Sequence, residues 1–151
     1  MKKIIFTTLI LLFNYMFVYG AVELKPLSEI KFKKGDESHF SYYAQRCSAL
    51  ISIVSAHYME FTEKLYGKDT ANQIQKIGNN YLELAIKIRM KNNNLNFKEA
   101  TNMVMDEQKI IGESYVNAIN ENFYKSGQQF IGSFVFDDYD LCFNAEKLNI
   151  Y

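Results

Sequence analysis

Few side chains in this chain could carry chemistry. There are two histidines, two cysteines and eleven tyrosines, with no tryptophan. His57 and Glu60 stand three residues apart, with Glu63 one helical turn further on. On a helix that spacing brings the groups together, and such a set can ligate a metal. A di-metal carboxylate bundle, however, needs Glu-x-x-His twice, with further glutamates turned inward. Here the order is reversed and occurs once, and Glu60 and Glu63 fall off the apolar stripe of their helix. His57 therefore reads as a boundary residue on a solvated face, and no metal or other cofactor is expected. No G-x-S-x-G run, phosphate-binding glycine loop or Walker pattern occurs. Asp106, Glu107 and Glu113 read as the polar face of a helix. The expectation is a protein that is not an enzyme.

The tyrosines are the more suggestive set. Tyr43, Tyr58, Tyr81 and Tyr115 lie on the apolar faces of their segments. They could line a pocket for a small ligand with an apolar body and a polar handle. The plainer reading is that they fill the core in place of tryptophan, with their hydroxyls reaching partners at its rim.

Cys47 and Cys142 admit one intramolecular pairing. In an exported chain an even cysteine count reads as a disulfide. Closing a loop of about 95 residues is worth about 4.7 kcal/mol in loop-closure entropy, before strain is subtracted. Export is expected from the N-terminus. Met1-Lys2-Lys3 is a short positive region, Ile4 to Val18 is an apolar run too short for a comfortable membrane span, and Val18-Tyr19-Gly20 offers a cleavage site. Residues 1–20 are thus read as a signal peptide, with the mature chain beginning at Ala21 and keeping no stable membrane span. Loss of Lys2 and Lys3 leaves 15 of the 17 basic residues against 17 acidic ones. That balance gives no electrostatic drive toward nucleic acid.

The elements that must position these residues read as helices. The chain is 48% hydrophobic and 23% charged, with one proline, and so has few breakers for long helices. Residues 21–35 form an N-terminal arm, punctuated by Pro26 and Gly35. Lys31, Lys33 and Lys34 make a basic knot there, read as part of a solvated leader laid against the bundle, the alternative being a partner-contacting arm. The single helical domain spans 36–151. Its first helix runs from Asp36 or Ser38 to Tyr66, with a stripe of Phe40, Tyr43, Cys47, Leu50, Ile51, Val54, Tyr58, Phe61 and Leu65 at steps of three and four. Gly67 ends it. The second starts at Asp69 or Thr70, with Thr70 and Gln73 at capping-box spacing. It carries Ile74, Ile77, Tyr81, Leu82, Ala85 and Ile88, and Gly78 inside it predicts a close helix–helix approach. The third starts at Asn96, with Glu99 at box spacing, and ends near Ser126 and Gly127. Its stripe is interrupted by Gln108, which needs an inter-helix hydrogen bond if buried. A short fourth helix is expected from about Tyr139 to Leu148, capped by Asp137 or Asp138, with Leu141, Cys142, Ala145 and Leu148 inward. The expected fold is all-α: a bundle of three long helices plus a short C-terminal one, stapled by Cys47–Cys142.

The signal segment, the run Tyr43-Ala44-Gln45-Arg46-Cys47-Ser48-Ala49-Leu50 and the tripeptide Asp140-Leu141-Cys142 together resemble short exported bacterial helical proteins of unknown function. That resemblance carries no activity; the periplasmic or secreted location is expected from the signal segment. The leading expectation is a non-enzymatic interaction or accessory module of the cell envelope, with an unidentified protein partner there or outside the cell. The alternative is a small-ligand binder with a tyrosine-lined interior.

Overall fold

Among the described residues of the computed structural model four helices follow one another: α1 (Glu37–Tyr66), α2 (Lys68–Asn93), α3 (Phe97–Ser126) and α4 (Phe134–Phe143). A 3₁₀ turn at Leu27–Glu29 precedes them. The structure describes residues 23–31, 33 and 35–144, and for 57–66 the backbone only. The expected signal segment 1–20, the side chains of His57, Tyr58, Glu60, Phe61, Glu63 and Leu65, and Lys34, Ala145 and Leu148 lie outside the described residues. No helix among the described residues is long and apolar enough to cross a membrane.

Local chemistry explains the boundaries. The Asp36 carboxylate accepts from the backbone N–H groups of Ser38 (3.1 Å) and His39 (3.3 Å), which closes the open end of α1. Gly67 is the one residue between α1 and α2. Its φ of 86° is a left-handed turn that a side chain would strain. Because Gly67 itself occupies the cap position of α2, that helix starts at Lys68 rather than at a Thr70 box. The box expected at α3 is present: Asn96 Oδ1 accepts from Glu99 N at 3.0 Å, and Glu99 accepts from Asn96 N at 3.1 Å. Asn94 at φ 51° ends α2, and Gly127 at φ 74° ends α3.

The helices run up, down and up. Along α1 and α2 the partners run in opposite order: Ile51 meets Gly78, Tyr43 meets Tyr81, and Glu37 meets Lys91. Along α1 and α3 they rise together: Gln45 meets Glu107, Ser48 meets Gln108, and Ile53 meets Gly112. The Gln108 amide donates to the Ser48 hydroxyl at 2.7 Å, the inter-helix bond its position calls for.

Two expectations are corrected. First, α1 is not a one-sided helix. From Ser41 to Ile51 every residue except half-buried Tyr42 is buried, because α2, α3, α4 and the N-terminal arm surround it. Ser41, Ala44, Ser48 and Ala49 are small enough to allow that enclosure. Second, α4 begins five residues earlier than expected, after Ser133, and Phe134-Val135-Phe136 forms its first turn. Asp138 therefore lies inside the helix and is fully buried instead of capping it. The arm likewise joins the core. Leu27 is fully buried against Tyr43, Cys47 and Ile51, so the leader is laid against the bundle while Lys25, Lys31 and Lys33 stay exposed.

The two mid-helix glycines separate cleanly. A methyl group at Gly78 would come within 2.9 Å of Ile51 Cγ2, a β-branched atom that cannot swing away. At Gly112 it would sit 3.7 Å from Ile53 Cδ1, an ordinary contact. Gly78→Ala is expected to destabilise by about 1–3 kcal/mol despite the better helix propensity of alanine. Gly112→Ala is expected to stabilise by about 0.5–1 kcal/mol. Urea denaturation of the two variants checks both signs.

Candidate functional site

The two cysteines are joined, with their Cα atoms 5.4 Å apart and both side chains buried. The staple ties the middle of α1 to the last turn of α4. Two of the singled-out tyrosines finish that turn. The Tyr43 hydroxyl donates to the Leu141 carbonyl at 3.0 Å, and the Tyr81 hydroxyl donates to the Cys142 carbonyl at 2.7 Å. These are end-of-helix carbonyls that lack partners within their own helix. The two rings meet edge to face at 5.9 Å. Tyr115 packs in a different part of the core, against Leu50, Ile119 and Val135. Tyr43, Tyr81 and Tyr115 thus do not surround one common space, and their hydroxyls are engaged within the fold.

Tyr115 belongs to a buried polar node. The Asp138 carboxylate accepts from the Leu27 backbone N–H at 2.6 Å through one oxygen. Its other oxygen accepts from the Tyr115 hydroxyl at 2.7 Å and from Arg46 Nη2. Arg46 Nε donates to the Tyr115 oxygen at 2.8 Å, and Arg46 Nη1 donates to the Lys25 carbonyl at 2.6 Å. The guanidinium lies 5.1 Å from the centre of the Tyr115 ring and 5.8 Å from that of Tyr42. Arg46 and Asp138 are both fully buried. Burial pushes the Asp138 carboxyl above its ordinary value of 3.8, against the guanidinium, the Leu27 N–H and the Tyr115 hydroxyl, which all favour the anion. Burial also pushes the Tyr115 phenol well above 10.0. Every group in the node is occupied, so its work is to hold the arm, α1, α3 and α4 together. Residue types alone do not single it out. The usable signal was position: Arg46 precedes Cys47, and Asp138 stands one helical turn before Cys142. Any staple between the cysteines brings the two charges close.

The outside of the molecule offers a different kind of site. One face of α3 is built into the core through Ala100, Val104, Ile111, Tyr115 and Ile119, while Met103 and Ile110 stand exposed on the flank. Beside Ile110 a cavity of about 300 Å³ opens between α3, α1 and the arm, walled by Leu24, Tyr42, Ile110 and Ile111. At its polar end Arg89 Nη2 donates to both oxygens of Glu107, at 3.0 and 2.8 Å, and buried Gln45 donates to the same carboxylate at 2.6 Å. This end is a charge-neutral, pre-formed rim. No group of three or more His, Cys, Asp or Glu side chains among the described residues is placed to hold a metal ion. Comparison with protein-family models, curated proteins and solved structures returned no significant match.

Two outcomes test the node. Asp138→Ala strands a buried guanidinium, and its expected cost is about 3–5 kcal/mol by urea denaturation. The Tyr115 phenol titrates near 10.0 when unfolded and higher when folded. Its stabilising contribution is therefore complete below that pH and is lost as pH rises through the folded value. The melting temperature should fall above a pH of about 10, less steeply in Tyr115→Phe. The remainder comes from Tyr139, which burial also raises. An unchanged alkaline slope in the variant would remove Tyr115 from this role.

Proposed function

We propose that the chain is an exported, non-enzymatic interaction module of the cell envelope that binds a protein partner along the outer edge of α3. The observation that carries this reading is the apolar exposure of Met103 and Ile110 beside a pre-formed cavity, on a helix whose other face is locked into the core. Exposed apolar side chains next to a concavity are the usual mark of a binding surface. A scaffold tied by a buried disulfide and a buried ion pair presents such an edge with little ordering left for the encounter. Export is supported by the signal-like residues 1–20 and is compatible with the disulfide, since such bonds persist in oxidising compartments.

The tyrosine-lined ligand reading receives no comparable support, because the described hydroxyls are used to fix α4 and the node.

A photo-crosslinking residue at Ile110, in protein expressed in its own host, is expected to yield a discrete higher-mass adduct in the exported fraction. The same residue at Glu83, on the outer face of α2, should yield none. The intact mass of the unmodified chain should begin at Ala21 and lie two hydrogens below the reduced value. Equal adducts at both positions, or none at Ile110, would discard the surface; an uncleaved chain with free thiols would discard the compartment.

A further inference from the structure

The composition of the α3 edge indicates what covers it. At 100° per residue, Met103, Ile110 and Tyr124 fall on one exposed row, each a multiple of seven residues from the others. The same row carries Glu99, Asp106, Glu113 and Glu121, all exposed. Glu99 closes the capping box and Glu121 pairs with Lys125. Asp106 and Glu113 make no ion pair with any described residue and flank Ile110 on both sides. Lys98 and Lys109 fall on the next row round. The row itself is apolar and acidic, with Lys109 and Lys125 on its two borders and neither of them paired with Asp106 or Glu113.

A second concavity continues the first. It has about 430 Å³ of space and is lined by Glu23, Leu24, Asn117, Ala118, Glu121 and Phe134, among others. Leu24 borders both cavities. Ile110 at the first and Asn117 at the second are seven residues apart, about 10.5 Å along the helix. That is the spacing of side chains at i and i+7 on a docked helix.

We propose that the α3 edge binds a cationic amphipathic helix, which places two apolar anchors in the consecutive cavities and Lys or Arg side chains against Asp106 and Glu113. This names the partner class for the surface argued above and rests on that reading. Charge selects this occupant over the others. An edge-to-edge pair of two copies sets each acidic row against its own mate, and an anionic lipid surface meets the same repulsion. The Arg89 charge does not oppose the ligand, because Glu107 already neutralises it.

The test uses the disulfide-bonded mature chain and a fluorescent Lys/Leu peptide of about 18 residues, with Leu at i, i+3, i+4 and i+7. One comparator replaces Lys by Glu, and the other permutes the sequence to destroy the period. The periodic cationic peptide is expected to bind at least about tenfold more tightly than either, and less tightly as salt rises. Asp106→Lys with Glu113→Lys is expected to weaken it about tenfold or more, and Ile110→Ser by about fivefold, while Glu83→Lys on α2 leaves it unchanged. All four positions are exposed or half-exposed, and circular dichroism checks that each variant keeps its helices. Equal binding of the permuted peptide, or an equal loss in Glu83→Lys, overturns the proposal in favour of diffuse charge attraction. Concentration-dependent self-association abolished by Asp106→Lys replaces the peptide with a second copy and also overturns it. An adduct at Ile110 whose contact segment is acidic or neutral overturns the cationic helix while leaving the interaction module standing.

Discussion

The ion pair of Arg46 with Asp138 is the constraint on which the other parts depend. Neither charge reaches water, so each must be satisfied by its neighbours or the fold pays a desolvation penalty of several kcal/mol per ion. The satisfying groups come from four separate segments of the chain. Lys25 and Leu27 supply backbone atoms from the arm, Arg46 comes from α1, Tyr115 from α3 and Asp138 from α4. The pair therefore forms well only when all four segments are in place. That requirement gives the fold specificity more than stability, since a well-packed apolar substitute often stabilises as much.

The disulfide and the node act on the same joint by different means. Cys47 follows Arg46 on α1, and Cys142 lies one turn beyond Asp138 on α4. The covalent link limits how far α4 can separate from α1 in the unfolded chain, a loop-entropy effect. The hydrogen bonds then set the rotation of α4 and draw the arm against it. Tyr43 and Tyr81 complete the attachment by receiving its terminal carbonyls as acceptors. A ten-residue helix, too short to be stable in isolation, is held in this way by tertiary contacts alone.

With the Ser41–Ile51 stretch of α1 enclosed, the outer helices differ in what remains free. α2 packs closely on α1 through Gly78, Ala85 and Ile86. α3 keeps one face in the core and leaves a long row to solvent, bordered by two cavities that the arm helps to form. Position, rather than any reactive group, makes that edge the place to look for a partner.

Periodicity and end signals by themselves determined the helical class, the three long helices, the Asn96–Glu99 box and the turns at Gly67 and Gly127. Those features depend on local backbone chemistry, which neighbouring residues express in any context. The cysteine pairing was also readable, because two cysteines admit one intramolecular bond. Only the tertiary structure decided which faces are inside. Ser41, Gln45, Arg46 and Ser48 lie outside the apolar stripe of α1, yet they are buried because other segments close over them. Asp138 reads as a cap and becomes a counter-ion because α4 starts at Phe134. The meaning of a polar residue depends on what approaches it from distant parts of the chain, and no local pattern encodes that approach. The acidic row on α3 shows the same dependence: Asp106 and Glu113 were legible as a polar face, but the cavities along that edge exist only where the arm and α3 meet α1 and α2 at one and α4 at the other.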